Sequence, residues 1–461
     1  MSSKAFKNAT KLNQRIDFVA DFEADPTGAD DCSAALLAFA TYLQSKSKIG
    51  YIPNGTYKLS SAVAIAAASN WGMVGDNSES VQFVYSGANT TNDILSIGSL
   101  SANSIKVQLQ GFRVTSTTVM TGGIGIHLMR LCRSEVIDVI PDGQDGLGRL
   151  WHGIRFNGVD NTYFTNYTAR AQKDGVQVNG LVGALPKAGL YMDQYKITLC
   201  DVGLRVGGAF GGIAFGSGDI AANGDNVVID QTLVDETNRE VFFSPTVFLD
   251  AATRCNCVID NPDPSQMWIN FPAKVWICSS ASHGVWIKNA PGAKISFDAY
   301  VYNVGGDGLR VDDPLVSIAI DSARFNSIPA PGYGINFTVP STAFTMRSPV
   351  FDGVDQPFNF TAQPLVVTTT AWPLSIQNNR AFFNNDFAGN LVGGAATVAH
   401  GKGGTYYKLI LGAFASFKTG SNQWSPLSVT VDAANINLTG GAGTEPYNVT
   451  LLVSNVANSG W

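Results

Sequence analysis

Charge is scarce in this sequence. Asp, Glu, Lys and Arg together make up 14% of its residues, and only six of the 36 acidic residues are Glu. Apolar residues reach 45%, a balance that excludes a disordered chain. The dominance of Asp over Glu favours turns and Asx-type caps over helix interiors, so most of the acids read as turn residues. No apolar run is long enough to cross a bilayer, which argues against a membrane span. No basic stripe interleaved with aromatics is present, and the net charge of -6 is spread out, so nucleic acid is not the expected ligand. The six cysteines form no C-x-x-C pair and none lies near a His at zinc-ligand spacing. They read as reduced core residues, and neither a metal nor a cofactor is expected. The opening stretch MSSKAFKNATKLNQR lacks an apolar core, so no secretory signal is expected either.

What the chain has instead is glycine, 48 residues of it, and length. Its 461 residues suit either two or three ordinary domains or one elongated repeat domain. From Asp17 the sequence reads DFVADFEADPTGADD, then a helical segment, then YIPNGTYKL from Tyr51 to Leu59. Pro26-Thr27-Gly28 is a turn, and Asp30 and Asp31 stand where a helix N-cap is expected. Leu36, Phe39, Ala40 and Leu43 then follow at i, i+3, i+4, i+7, one apolar face of a short helix. Such a helix has a use ahead of a solenoid, because the first coil exposes an unpaired edge and an apolar end.

From Gly125 a phrase recurs in which Gly is followed by alternating apolar positions: GIHL at Gly125, GIRF at Gly153, GVQV at Gly175, GLYM at Gly189, GLRV at Gly203, GVWI at Gly284, GLRV at Gly308 and GINF at Gly334. Several intervals suit one coil of three short strands and three turns. His152 and His283 precede the repeat glycine, as do Asp174 and Asp307, which favours a turn role for these histidines. The phrase stops near Pro364 to Pro373. Beyond it, alternating strands are expected at Tyr407 to Phe414, Pro426 to Leu438 and Tyr447 to Val453.

The segment from Asp17 to Asp76, including the Gly75-Asp76 turn, resembles the opening of the pectate-lyase-like β-helix family found in phage tailspikes, whose pattern is D-F-G-A-D-P-T-G, an amphipathic helix, then Y-I-P-x-G-T-Y. Glu23 replaces the usual Gly, which implies a local backbone difference. The resemblance implies an all-β chain, a right-handed parallel β-helix (solenoid) with a short N-terminal capping helix and a small C-terminal β-domain. The expected division is an anchor peptide at 1–16, a capping segment with first coils at 17–90, the β-helix at 91–365, and a β-sandwich-like module at 366–461 for trimerisation or carbohydrate binding. It also implies a homotrimer on a virion tail, attached through its N-terminus to the tail or another tail protein, released by lysis and acting extracellularly on a bacterial capsular or exopolysaccharide.

Depolymerisation has two chemistries. A hydrolase needs two carboxyl groups flanking the glycosidic bond. A lyase acts on a uronic acid and needs a cation for its carboxylate and a base for the neighbouring proton. The richest lyase-suited cluster runs from Trp151 to Lys196. Its catalytic candidates are His152, Arg170, Lys173, Tyr191 and Tyr195, and its substrate-binding candidates are Trp151, Arg155, Tyr167 and Lys187, with Tyr163 and Lys196 nearby. Stacked coils are expected to bring them onto one wall. The competing reading is that Tyr and Lys merely decorate an outer face. For hydrolysis, the segment Asp235 to Glu240 interrupts the repeat and offers Glu236 and Glu240 as catalytic and Asp235 and Arg239 as binding residues; the competing reading is a solvated loop. Asp312-Asp313 lacks the G-H-G and R-I-K of polygalacturonases, and Trp268-Ile269, Trp276-Ile277 and Trp286-Ile287 share only half of the W-I-D-H phrase of calcium-dependent pectate lyases. The clustering of cations and the scarcity of Glu put lyase chemistry slightly ahead of hydrolysis, with a non-catalytic receptor-binding spike as the alternative to an enzyme.

Overall fold

In the computed structural model the described residues are 16–360, apart from 144–148, 181–188, 208–211, 231–239, 261–267, 340–342 and 347–348, together with separate strands beyond 360. Up to Phe360 the strands pair in parallel, coil upon coil, in one long sheet beside the short pair Ser104–Ile105 and Leu131–Cys132. The fold is a right-handed parallel β-helix.

Each coil contributes three walls. Strands such as His152–Asn157, Asp174–Asn179, Val202–Gly207, Asp225–Asp230 and Val285–Lys288 make the first. Glu240–Phe243, Trp268–Phe271 and Lys294–Phe297 belong to the second, and Gly218–Ala221, Val247–Asp250, Trp276–Cys278 and Tyr300–Tyr302 to the third. Thr162–Ala169 and Leu190–Thr198 run round the corner between the second and third walls. Alternation sends one row inward: Ile126, Ile154, Val176, Leu204, Val227, Cys257, Val285, Leu309 and Ile335 stand in register on successive coils and are fully buried. Phenylalanines fill the lumen likewise, with Phe215, Phe243 and Phe271 at centroid spacings of 5.1 and 4.8 Å. All six cysteines are buried and unpaired.

The repeat phrase marks the first wall, with one exception. Gly189 opens a second-wall strand and has φ +87°, so GLYM belongs to a different wall that alternates in the same way. On the first wall the glycine is needed because coils approach closely. A Cβ at Gly153 would lie 2.4 Å from the carbonyl oxygen of Gly175. Between Gly203 and Gly284 the place is taken on two coils by Asn226 and Asn256, and the phrase disappears from the sequence there. Both amides are buried and satisfied: Asn223 donates to Asn226 at 2.9 Å, Asn226 to Asn256 at 2.7 Å, and Asn256 to the Cys278 carbonyl at 2.8 Å.

Corners turn through left-handed residues stacked coil on coil. Asn70, Lys106, Arg133, Asn161 and Gly189 form one such ladder between the first and second walls, and Asp138, Asn166 and Gln194 another between the second and third.

At the N-terminal end, helix α1 (Phe18–Phe22) is capped by Asp17, whose carboxylate accepts the Val19 and Ala20 N–H groups at 2.9 and 3.0 Å. Glu23 follows at φ 55°, so the left-handed turn expected of glycine is kept and no backbone difference results from the substitution. Asp25 caps the next turn, and the Asp30, Thr27 and Ala29 hydrogen bonds hold its carboxyl at about 2. Helix α2 (Ser33–Lys46) buries Leu36, Phe39, Ala40 and Leu43 on the first coil. Its N-cap position is Cys32, and Asp31 serves the first turn by accepting the Ser33 N–H at 3.1 Å. Phe18, Phe39, Tyr57 and Phe83 close the lumen with centroid spacings of 5.1 to 6.3 Å.

Beyond Phe360 the strands run antiparallel. Leu374–Ile376, Arg380–Asn390, Pro446–Ser454, Ile410–Lys418 and Trp424–Pro426 form one sheet, and Ala395–Ala399, Asn435–Thr439 and Ser428–Val431 another. The single strand expected over Pro426 to Leu438 is thus two antiparallel strands.

Candidate functional site

The Trp151 to Lys196 cluster divides among the three walls. Its expected convergence fails because Gln194, at φ 53°, inserts a corner that resets the alternation between Tyr191 and Tyr195. Tyr191 faces outward on the second wall, 41% exposed, stacked on Tyr163 at 4.9 Å. Tyr195 is 4% exposed and stacks on Tyr167 at 5.7 Å. Burial raises both phenols far above their usual range, and neither hydroxyl has a hydrogen-bond partner among the described residues. At neutral pH neither is a phenolate base.

His152, Arg155, Lys173 and Trp151 do gather on the first wall. His152 Nδ1 lies 3.1 Å from Asp174, which also receives Arg205 at 3.2 Å and the Gln177 amide; Arg205 continues to Asp230 and Arg155 donates to Gln177. Burial favours protonation of Asp174, but His152, Arg205 and Gln177 outweigh it and hold the carboxyl below its usual range. Lys173 reaches Asp201 at 3.3 Å and lies 5.4 Å from the Trp151 ring centroid. Arg170 pairs with Asp142 at 3.3 Å on the third wall. Glu240 begins a second-wall strand, half-buried. Lys187, Asp235, Glu236 and Arg239 lie outside the described residues.

The turn reading of the histidines also changes. His and Asp share a coil position because they stack on consecutive coils as pairs: His152 over Asp174, and His283 over Asp307 at 3.5 Å. His127 joins the same wall with Asp93 at 2.6 Å. Burial pushes the His283 imidazole toward its neutral form more than Asp307 draws it back. Asp312 accepts Arg310 at 3.0 Å, the Trp286 indole at 2.8 Å and Thr338 at 2.6 Å, and these hold it ionised against the effect of burial. A hollow of about 350 Å³ between Arg254, Trp286 and Lys288 lies between the two clusters.

The third wall carries a different arrangement. A trough of about 900 Å³ runs across five successive coils, marked by Asp138, Tyr167, Lys196, Asp219 and Phe248. Ser78 closes one end, donating through its N–H (2.9 Å) and hydroxyl (2.6 Å) to Asp138. The floor is built by Tyr195 and Gly218: a Cβ at Gly218 would fall 2.2 Å from the tyrosine ring, so only glycine admits the ring there. Asp193 accepts the Ser217 N–H at 2.7 Å and fixes the loop that presents Asp219. Asp219 is half-buried. Burial raises its carboxyl, Lys196 draws it down, Asp250 adds to the rise, and the net is upward. Asp25, Asp31, Asp174, Asp201 and Asp312 all shift the other way. A carboxyl with a raised pKa, in a long open trough beside other carboxylates, can deliver a proton to a bound polymer.

Sequence reasoning missed Asp219. Its signal was spacing: Lys196, Asp219, Phe248, Trp276 and Tyr300 follow one another by about one coil each, as the glycine phrase does.

No protein-family description matches this chain, and no curated protein sequence does. Among solved structures, the chain is similar to the Azotobacter vinelandii mannuronan C-5 epimerase AlgE6 A-module, at 11% identity and a TM-score of 0.52, covering 78% of this chain and all of that one. At that identity the likeness speaks for the parallel β-helix alone. Other matches are the Dettilon tailspike protein gp208 (11% identity, TM-score 0.47, covering 95% and 94%) and Geobacillus virus E2 ORF18 (14%, 0.45, covering 97% and 82%).

Proposed function

We propose that this chain is a phage tailspike-type depolymerase that binds a bacterial capsular or exopolysaccharide along the third wall and hydrolyses it, with Asp219 as proton donor. The observation that carries the reading is the trough itself: long, open, edged by Asp138, Lys196 and Asp219, floored by an aromatic ring, and parallel to the solenoid axis. A linear polymer fits such a trough, whereas a compact metabolite would leave most of it empty. The N-terminal signature supports the tailspike class. Assembly as a homotrimer, attachment through residues 1–16 and a supporting role for residues 366–461 belong to the same proposal.

In hydrolysis, Asp219 protonates the leaving glycosidic oxygen, and a second carboxylate assists water or attacks the sugar; Asp250 acts on the Asp219 carboxyl, and Glu79 and Asp138 line the same trough. Elimination is less well served than the sequence suggested. Lys173 and Arg170 each face a carboxylate and Arg155 is committed to Gln177, while Tyr167 and Tyr195 are buried and the exposed Tyr191 stacks on Tyr163 on the second wall. A purely adhesive spike would need no acid of raised pKa in its trough.

The test is release of reducing ends from an exopolysaccharide purified from a bacterium whose lawn the protein clears. Wild type should release them without absorbance at about 232 nm, the mark of an unsaturated uronate. Asp219→Asn should lose activity by about a hundredfold or more. Strong absorbance would overturn hydrolysis, and full activity in Asp219→Asn would overturn the assigned acid.

A further inference from the structure

The outward row that contains Asp219 continues in one direction as a ladder of aromatic rings. Register places Thr168, Lys196, Asp219, Phe248, Trp276 and Tyr300 on consecutive coils at one position of the third wall. On the side of lower residue number the row is aliphatic, polar or charged, with Ile140, Thr168 and Lys196; on the other it is Phe248, Trp276 and Tyr300, flanked by Tyr302, before Arg324 on the next coil. Phe248 is 48% and Tyr302 36% exposed, while Trp276 and Tyr300 are half-buried. Contiguous exposed rings are costly on a soluble surface and signal a ligand.

The rings are fixed. Trp276 meets Tyr300 edge to face at 4.6 Å and 79°, and Asn326 donates to the Tyr300 hydroxyl at 3.1 Å. Successive coils advance by about 4.7–4.9 Å, close to the advance of a polysaccharide by one sugar. Each coil can therefore offer one ring to one sugar, stacking on its apolar C–H face.

We propose that Phe248, Trp276 and Tyr300 are consecutive sugar-binding subsites lying on one side of Asp219 only, so that the polysaccharide is gripped asymmetrically. This rests on the third-wall trough being the polysaccharide site. The gripped sugars are those that show an unsubstituted C–H face; Phe248 adjoins Asp219 in register and shares its strand with Asp250, and Trp276 and Tyr300 lead away from these carboxylates. Neutral sugars suit the stretch closest to the acid, where anionic ones would meet like charge.

The test is retardation of the full chain in native gels cast with purified bacterial exopolysaccharide, using whichever member of a panel retards wild type most. Trp276→Ala and Tyr300→Ala should each weaken retardation about tenfold, and Trp276→Phe should restore most of it. Phe248→Ala, which removes a ring already half exposed, serves if the other variants fail to fold. Tyr163→Ala and Tyr191→Ala, on the second wall, should leave retardation unchanged. Wild-type retardation in folded Trp276→Ala, Tyr300→Ala and Phe248→Ala would overturn the ladder, whatever Asp219→Asn does to cleavage. Cleavage surviving in Asp219→Asn would overturn the acid and leave the ladder standing. Absence of retardation by every polysaccharide would overturn both.

Discussion

The first wall and the trough of the third are built from the same coils, yet they treat charge differently. On the first wall, carboxylates are closed into pairs: Asp174 with His152 and Arg205, Asp307 with His283, Asp312 with Arg310. On the third, Asp219 faces an open trough with Asp250 reinforcing its raised pKa and only Lys196 opposing. Paired carboxylates brace a stack of coils. A carboxyl held partly desolvated and poorly compensated costs stability, and such a cost is typical of a working acid.

Breaking the first-wall network should give the larger effect on folding. Asp174→Ala leaves Arg205 and His152 without their shared partner in a largely buried position, and should cost roughly 3 kcal/mol. A lowered melting temperature in thermal unfolding, with cleavage by the remaining folded protein intact, is the expected outcome. A loss of cleavage in folded Asp174→Ala would move the active site to the first wall.

The third wall should respond in the opposite sense and more weakly. The folded pKa of Asp219 lies above its unfolded value, so its contribution is most favourable below the unfolded pKa and is lost as pH rises through the folded one. Asp219→Asn should therefore match or exceed wild type in melting temperature at neutral pH, and the difference should shrink on acidification through the carboxylate range. A melting temperature well below wild type at pH 7 would mean that Asp219 is a structural residue like those of the first wall.

The two walls were also unequally legible in the sequence. The capping helix could be read because Leu36, Phe39, Ala40 and Leu43 follow helical spacing with no tertiary help. The first wall could be read because close coil contact forces glycine at one place per coil. It faded at Asn226 and Asn256, where a buried amide ladder does the same job with a residue that ordinarily signals turns. Corners left almost no trace: Lys106, Arg133 and Gln194 take left-handed conformations that their side chains do not advertise. Because each unseen corner resets the alternation, Tyr191 and Tyr195 looked like neighbours on one face when a turn divides them. Asp219 sits in Gly216-Ser217-Gly218-Asp219, which reads locally as a turn. Only the register between coils sets it beside Lys196 and Phe248.

The most direct measurement is a crystal structure of Asp219→Asn with an oligosaccharide released from the exopolysaccharide that wild type degrades. The sugar chain should lie along the third wall, with a glycosidic oxygen against Asn at position 219 and sugar rings over Phe248, Trp276 and Tyr300. Sugar density on the first wall, in the hollow between Arg254, Trp286 and Lys288 or against the His152 and Asp174 pair, with the third-wall trough empty, would contradict the account.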